Sequence, residues 1–164
     1  HDALPILVDD ALECIEVGYT SIMFDGSHLP VEENLKLAKE VVEKAHAKGI
    51  SVKAEVGTIG GEEDGIIGKG ELAPIEDAKA MVATGIDFLA AGIGNIHGPY
   101  PANWEGLDLD HLKKLTEALP EFPIVLHGGS GIPDDQIQAA IKLGVAKVNV
   151  NTECQIAFAN ATRQ

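Results

Sequence analysis

The chain has 164 residues, of which 45% are apolar and only 4% aromatic, with 18 glycines and a formal net charge of −14. That length supports one domain with a substantial, chiefly aliphatic core. The acidity argues against non-specific binding to nucleic acid or to an anionic membrane surface. Cys14 and Cys154 form no CxxC pair and no disulfide framework, which points to a reducing, cytoplasmic compartment. No apolar run is long enough to span a bilayer, and no basic-then-apolar leader opens the chain. No Met precedes His1, and Ile156 to Gln164 stops inside a helical pattern, so residues 1–164 read as one partial domain, truncated at both ends.

Asp9 or Asp10 can cap a helix over Ala11 to Val17 that Gly18 stops. Thr20 to Phe24 reads as a strand, followed by the polar loop Asp25 to Pro30. Val31 to Ala47 is the clearest helix: Leu35, Ala38, Val41, Val42 and Ala45 recur at helical spacing beside Glu32, Lys36, Glu40 and Lys44. Ile50 to Val56 is the next strand, and Gly57 to Gly70 is expected to be a glycine-rich acidic loop. A helix over Pro74 to Thr84, a strand over Phe88 to Ile93 and a long loop from Gly94 to Gly106 follow. Then come a helix over Leu109 to Leu119, a strand over Ile124 to Leu126 and the tight loop Gly128 to Gly131. Pro133 suits the first turn of a helix ending near Gly144, Val145 to Val150 is the last strand, and Glu153 starts the final helix.

Five short strands, each followed by a helix, fit either an open doubly wound sheet or consecutive units of an eight-unit barrel. Polar residues close every strand instead of gathering at one switch point, which favours the barrel. A barrel needs roughly 250 residues, so about three strands would be missing.

The strand ends carry the candidate chemistry. His97 and His127 sit just beyond strands in glycine-rich surroundings and, with His1, supply three imidazoles, a donor set suited to zinc with one position open. The alternative is that they are isolated surface or supporting histidines. His28 lies deeper in its loop, and His46 and His111 read as ordinary surface residues on helices. Asp25 and Glu55 each close a strand and call for a cation or a hydrogen-bond network, since unpaired buried carboxylates are expensive. Glu62-Glu63-Asp64, flanked by glycines, is either a solvated charge run or a mobile lid carrying an acid. Gly128-Gly129-Ser130-Gly131 and Asn151-Thr152 follow the last two strands, where barrels bind phosphate through backbone N–H groups and helix N-termini.

Several long motifs resemble one family. Ser21-Ile22-Met23-Phe24-Asp25-Gly26-Ser27-His28-Leu29-Pro30 with Glu32-Glu33-Asn34, the run Glu55 to Asp64, and Gly94-Asn95-Ile96-His97-Gly98 are similar to the class II metal-dependent ketose-bisphosphate aldolases. So are Leu126-His127-Gly128-Gly129-Ser130-Gly131 and the run Lys147 to Glu153. The resemblance covers essentially the whole chain. It implies a TIM barrel, of which this chain would be the portion from the end of strand three through strand eight, in which His1, His97 and His127 hold zinc, with Asp25 and Glu55 near a second or displaced metal position. A family aspartate that precedes the first histidine would fall before residue 1. Glu63, with Glu62 beside it, resembles the loop acid that moves the C1 proton of the triose. Gly98, Gly128, Ser130 and Thr152 resemble phosphate contacts, Asn151 a contact around phosphate and substrate backbone, and Asn149 the amide that holds the triose enediolate. Where many relatives carry a lysine soon after the His97 motif, this chain has Pro99-Tyr100-Pro101.

The implied reaction is zinc-dependent, reversible cleavage of fructose 1,6-bisphosphate to dihydroxyacetone phosphate and glyceraldehyde 3-phosphate. The resemblance further implies a homodimer or homotetramer and, in some members, Na+ or K+ near the phosphate. Tagatose 1,6-bisphosphate as substrate, a metal-dependent sugar-phosphate isomerase or epimerase, and a non-catalytic fragment retaining zinc and phosphate sites remain alternatives from sequence alone.

Overall fold

The computed structural model describes residues 2–3, 8–63, 66–68 and 70–163, with only the backbone described at 2–3, 62–63 and 66–68. Its elements run β1 (Asp2–Ala3), α1 (Val8–Val17), β2 (Ser21–Phe24), α2 (Val31–His46), β3 (Ser51–Val56), β4 (Gly60–Glu63) and β5 (Ile66–Gly68). There follow α3 (Ile75–Val82), β6 (Phe88–Ala91), β7 (Ile96–His97), α4 (Leu109–Ala118), β8 (Ile124–Leu126), α5 (Asp134–Lys142), β9 (Val145–Val148) and α6 (Thr152–Thr162).

The main sheet has the order β1-β2-β3-β6-β8-β9, and every pairing in it is parallel. Spatial order equals chain order, with no reversal at which a doubly wound sheet would place its crevice. The arrangement is a stretch of (β/α) barrel wall, which settles the choice left open by periodicity.

Side-chain alternation sorts the two faces. Ile22, Phe24, Val52, Ala54, Leu89, Ala91, Ile124 and Leu126 face the helices and pack with Val41, Val42, Ala45, Met81, Leu112 and Leu115 in one core. The opposite parity carries Met23, Ala90 and Val125, with Phe88 against them. Two residues further along each strand, that same parity reaches Asp25 after Met23 and His127 after Val125. Lys53 and Glu55 share it on β3, and Asn149 follows Lys147 after β9. The polar ends therefore share one face and one edge, the C-terminal edge where parallel sheets place their chemistry.

Two expected loops contain strands. Within Gly57–Gly70, β4 and β5 pair antiparallel, with Gly61 opposite Gly68 and Glu63 opposite Ile66. Within Gly94–Gly106, β7 pairs parallel to β4, with Gly61 opposite His97. The pairing needs Gly61, which sits at φ +88° and whose absent Cβ would run into the His97 carbonyl. Strands of two to four residues, rich in Gly and Glu, carry too little alternation to be read from sequence.

Helix starts follow local chemistry. Pro30, Pro74 and Pro133 occupy the N-cap positions of α2, α3 and α5, and the Asp108 carboxylate accepts from His111 N–H at 2.8 Å to cap α4. His111 is not the plain surface residue expected: it is half-buried, and its Nε2 donates to the Ala73 carbonyl at 2.7 Å. His46 does lie at the surface, 2.9 Å from the Asp87 carboxylate. No helix among the described residues is long and apolar enough to cross a membrane.

Candidate metal and phosphate site

β8 delivers His127, only 3% exposed, and β7 delivers His97; their ring centroids are 5.6 Å apart with planes tilted by 46°. β3 delivers Glu55, 2% exposed, whose Oε2 lies 3.5 Å from His127 Nδ1. Burial, and after it the charges of Lys53, His97 and Lys147, pull the His127 pKa down to about 3. The imidazole is therefore neutral at physiological pH, the state in which a ring nitrogen can bind a metal. With Nδ1 turned to Glu55, Nε2 is buried and has no hydrogen-bond partner among the described residues. A buried nitrogen left open in this way fits a metal ligand, and a carboxylate behind the other nitrogen is the usual way to fix the tautomer.

Glu55 is itself held from several sides. Ser27 Oγ donates to its Oε1 at 3.4 Å, and Asn34 Nδ2 donates to its backbone carbonyl at 3.2 Å. Asp25 turns back on its own loop, its Oδ1 accepting from Ser27 N–H at 2.9 Å. Glu55 thus meets His127 directly, whereas Asp25 braces the Ser27 segment. Among the described residues no group of three or more His, Cys, Asp and Glu is placed to hold a metal. His1, the third imidazole expected, lies outside the described residues, as do the side chains of Glu62 and Glu63.

The loop after β8 lies beside the start of α6. Gly129 N–H donates to Asn149 O at 2.8 Å, and Asn149 N–H to Leu126 O at 2.9 Å. Ser130, buried, accepts at Oγ from Glu153 N–H at 3.2 Å, satisfying one of the first-turn donors that a helix cannot pair internally. Asn151 is the N-cap of α6 and Thr152 its first residue. The start of α6 therefore lies beside the glycine loop, the kind of placement at which helix N-termini favour negative charge. Gly128, at φ +63°, has no room for a Cβ because the Ile96 carbonyl occupies that place; at Gly129 a Cβ would meet Val148 Cγ1 at 2.6 Å. Gly98, at φ +82°, has open space on that side.

Sequence reasoning passed over three residues that hold this arrangement. Asn95, fully buried, accepts from Ile93 N–H at 2.9 Å and donates to His127 O at 3.0 Å. Tyr100 bridges Ile96 and Gly128, and Asn34 secures Glu55. An Asn two residues before a candidate ligand histidine was the available signal for Asn95. The long-range partners of Tyr100 and Asn34 leave none.

A parallel sheet in chain order, with imidazoles, carboxylates and a glycine loop gathered at its C-terminal edge, defines an α/β-barrel protein. The chain belongs to the class II fructose-bisphosphate aldolase family, whose sequence profile matches residues 2–164. It is 95% identical over 156 residues to the fructose-bisphosphate aldolase of Streptococcus pneumoniae, covering 95% of this chain and 53% of that protein. To the fructose-bisphosphate aldolase of Streptococcus pyogenes serotype M3 it is 86% identical over 156 residues, with the same coverage. A crystal structure assigned as a fructose-1,6-biphosphate aldolase from Coccidioides immitis superposes with a TM-score of 0.92 at 36% identity, covering 99% of this chain and 59% of that one. The chain spans about half the length of the curated relatives it matches.

Proposed function

We propose that the protein carrying this chain performs metal-assisted, reversible aldol cleavage of fructose 1,6-bisphosphate to dihydroxyacetone phosphate and glyceraldehyde 3-phosphate. The observation that carries the proposal is the pair His97 and His127, 5.6 Å apart between ring centroids, with the buried Nε2 of His127 open and the glycine loop beginning at the next residue. The streptococcal relatives, named fructose-bisphosphate aldolases, favour fructose over tagatose as the ketose.

His1, His97 and His127 would hold zinc, with Glu55 orienting His127 and Asp25 bracing the adjoining loop. A zinc ion held there would supply Lewis-acid polarisation of the ketose carbonyl. Glu63, with Glu62 beside it, moves the proton at the triose carbon. Asn149 donates from its side-chain amide to the substrate oxygen next to the reacting carbon. Gly98, Gly128, Ser130, Asn151 and Thr152 hold phosphate, and Gly129 shapes the loop, since its own N–H is engaged with Asn149. Holding the substrate by its phosphates converts remote binding energy into orientation at the scissile bond. A monovalent cation, Na+ or K+, near the phosphate and a cytoplasmic homodimer or homotetramer complete the proposal.

The test is triose release from fructose 1,6-bisphosphate by the full-length protein, before and after chelation and zinc restoration. Cleavage that chelator abolishes and zinc restores is the expected result. Cleavage indifferent to chelator, or zinc retained stoichiometrically by His97→Ala or His127→Ala, would refute the assignment.

A further inference from the structure

We infer that Tyr100 is a positioning residue for the anionic end of the substrate, acting through the Gly128 carbonyl and not through the metal-binding imidazoles; the inference rests on the phosphate reading above. The Tyr100 hydroxyl donates to Gly128 O at 2.8 Å and accepts from Ile96 N–H at 3.1 Å. One hydroxyl thus ties the loop after β8 to β7, two segments that belong to different sheets.

One residue earlier, Asn95 Nδ2 holds His127 O at 3.0 Å. Two successive carbonyls therefore have separate holders. Asn95 secures the residue bearing the imidazole, and Tyr100 secures the first residue of the glycine loop. The Gly128–Gly129 peptide is gripped at both poles, its carbonyl by Tyr100 and its N–H by Asn149 O. Removal of the hydroxyl releases one pole, and that peptide directly precedes Ser130, which caps α6. Gly128 sits at φ +63° with the Ile96 carbonyl close against its Cα, so the backbone on this side of the loop is closely packed on β7.

The ring is held independently of the hydroxyl. It lies against Trp104 with centroids 4.2 Å apart at 56°, and the Trp104 indole N–H donates to Gly94 O at 2.8 Å. Burial also raises the Tyr100 pKa above its usual value, so the hydroxyl keeps its proton and remains a donor.

Tyr100→Phe in the full-length protein keeps the ring and deletes both hydrogen bonds. The probe is inorganic phosphate, its Kd read by calorimetry, with KM and kcat for fructose 1,6-bisphosphate measured alongside. Phosphate Kd and KM are expected to rise together by about five- to tenfold, the scale of one or two lost hydrogen bonds. The kcat should stay within about twofold, with zinc content unchanged because β7 is also held by its pairing with β4, and Trp104 emission unchanged. An unchanged phosphate Kd overturns the inference, as does a rise accompanied by zinc loss. Asn95→Ala is the counter-variant, expected to weaken zinc retention while sparing phosphate affinity; the reverse pattern also overturns the inference. Because phosphate binding is read without turnover, an unmodified protein that binds phosphate but cleaves no bisphosphate defeats the functional proposal alone.

Discussion

Glu55→Gln isolates what the carboxylate behind His127 does. The substitution keeps size and shape at a position only 2% exposed and removes the charge, so its effect is electrostatic and orientational, with no cavity. The carboxylate lies 3.5 Å from His127 Nδ1, longer than an ideal hydrogen bond. Ser27 and Asn34 both hold Glu55 in place. Removing a carboxylate that supports a ligating histidine commonly costs 10- to 100-fold in metal affinity. The long contact, and the ability of Gln to accept a hydrogen bond, place the expectation at the lower end. Zinc Kd should rise about tenfold, equivalent to about 1.4 kcal/mol. The assay is competition for zinc against a chromophoric chelator, with His127→Ala setting the complete-loss limit. A Kd within about twofold of the unmodified protein would show that Glu55 does not prepare His127, and the orientation argument would fail.

Other perturbations probe separate parts of the structure. Gly128→Ala places a methyl group where the Ile96 carbonyl sits, at a backbone φ of +63°; a stability loss of about 1–3 kcal/mol in urea unfolding, with weakened phosphate binding, is expected. His127 is neutral in the folded protein, with a pKa of about 3, while in the unfolded chain it takes up a proton near pH 6.5. Between those values the unfolded state binds the extra proton, so acid lowers stability. Metal-stripped protein should lose about 2 kcal/mol between pH 7 and pH 5 from this group. His127→Gln should remove that part of the slope, and an identical slope in the variant would contradict a buried neutral imidazole. Glu63→Gln should slow solvent proton exchange into dihydroxyacetone phosphate, followed by NMR, with zinc still bound; normal exchange would transfer the role to Glu62 or another group.

The repeating part of the fold was readable because its signals are long or regular. The α2 stripe of Ala38, Val41, Val42 and Ala45 is buried as its spacing required, and the five expected strands occur in order, with ends shifted by at most two residues. Strand parity also carried Asp25, Glu55 and His127 to one edge, which is why their positions at strand ends meant something. The hairpin β4–β5 and the pairing of β7 with β4 were not readable, because glycine permissiveness and a cross-loop ladder decide them, and neither leaves a periodic trace. His111 misled for a related reason. Its partner is the Ala73 carbonyl, a backbone group supplied by a different βα unit, and no local pattern announces that.

Equality of spatial and chain order has a consequence for assembly. Each main-sheet strand pairs with the main-sheet strand that precedes it in the chain, so the sheet can grow at one edge, a βα unit at a time, without waiting for distant segments. The site residues follow the same order: Glu55 lies on β3, His127 follows β8, and the Ser130–Glu153 contact requires α6, which follows β9. In chain order the carboxylate that faces the imidazole therefore precedes the imidazole itself, and the Ser130–Glu153 contact needs elements later than either.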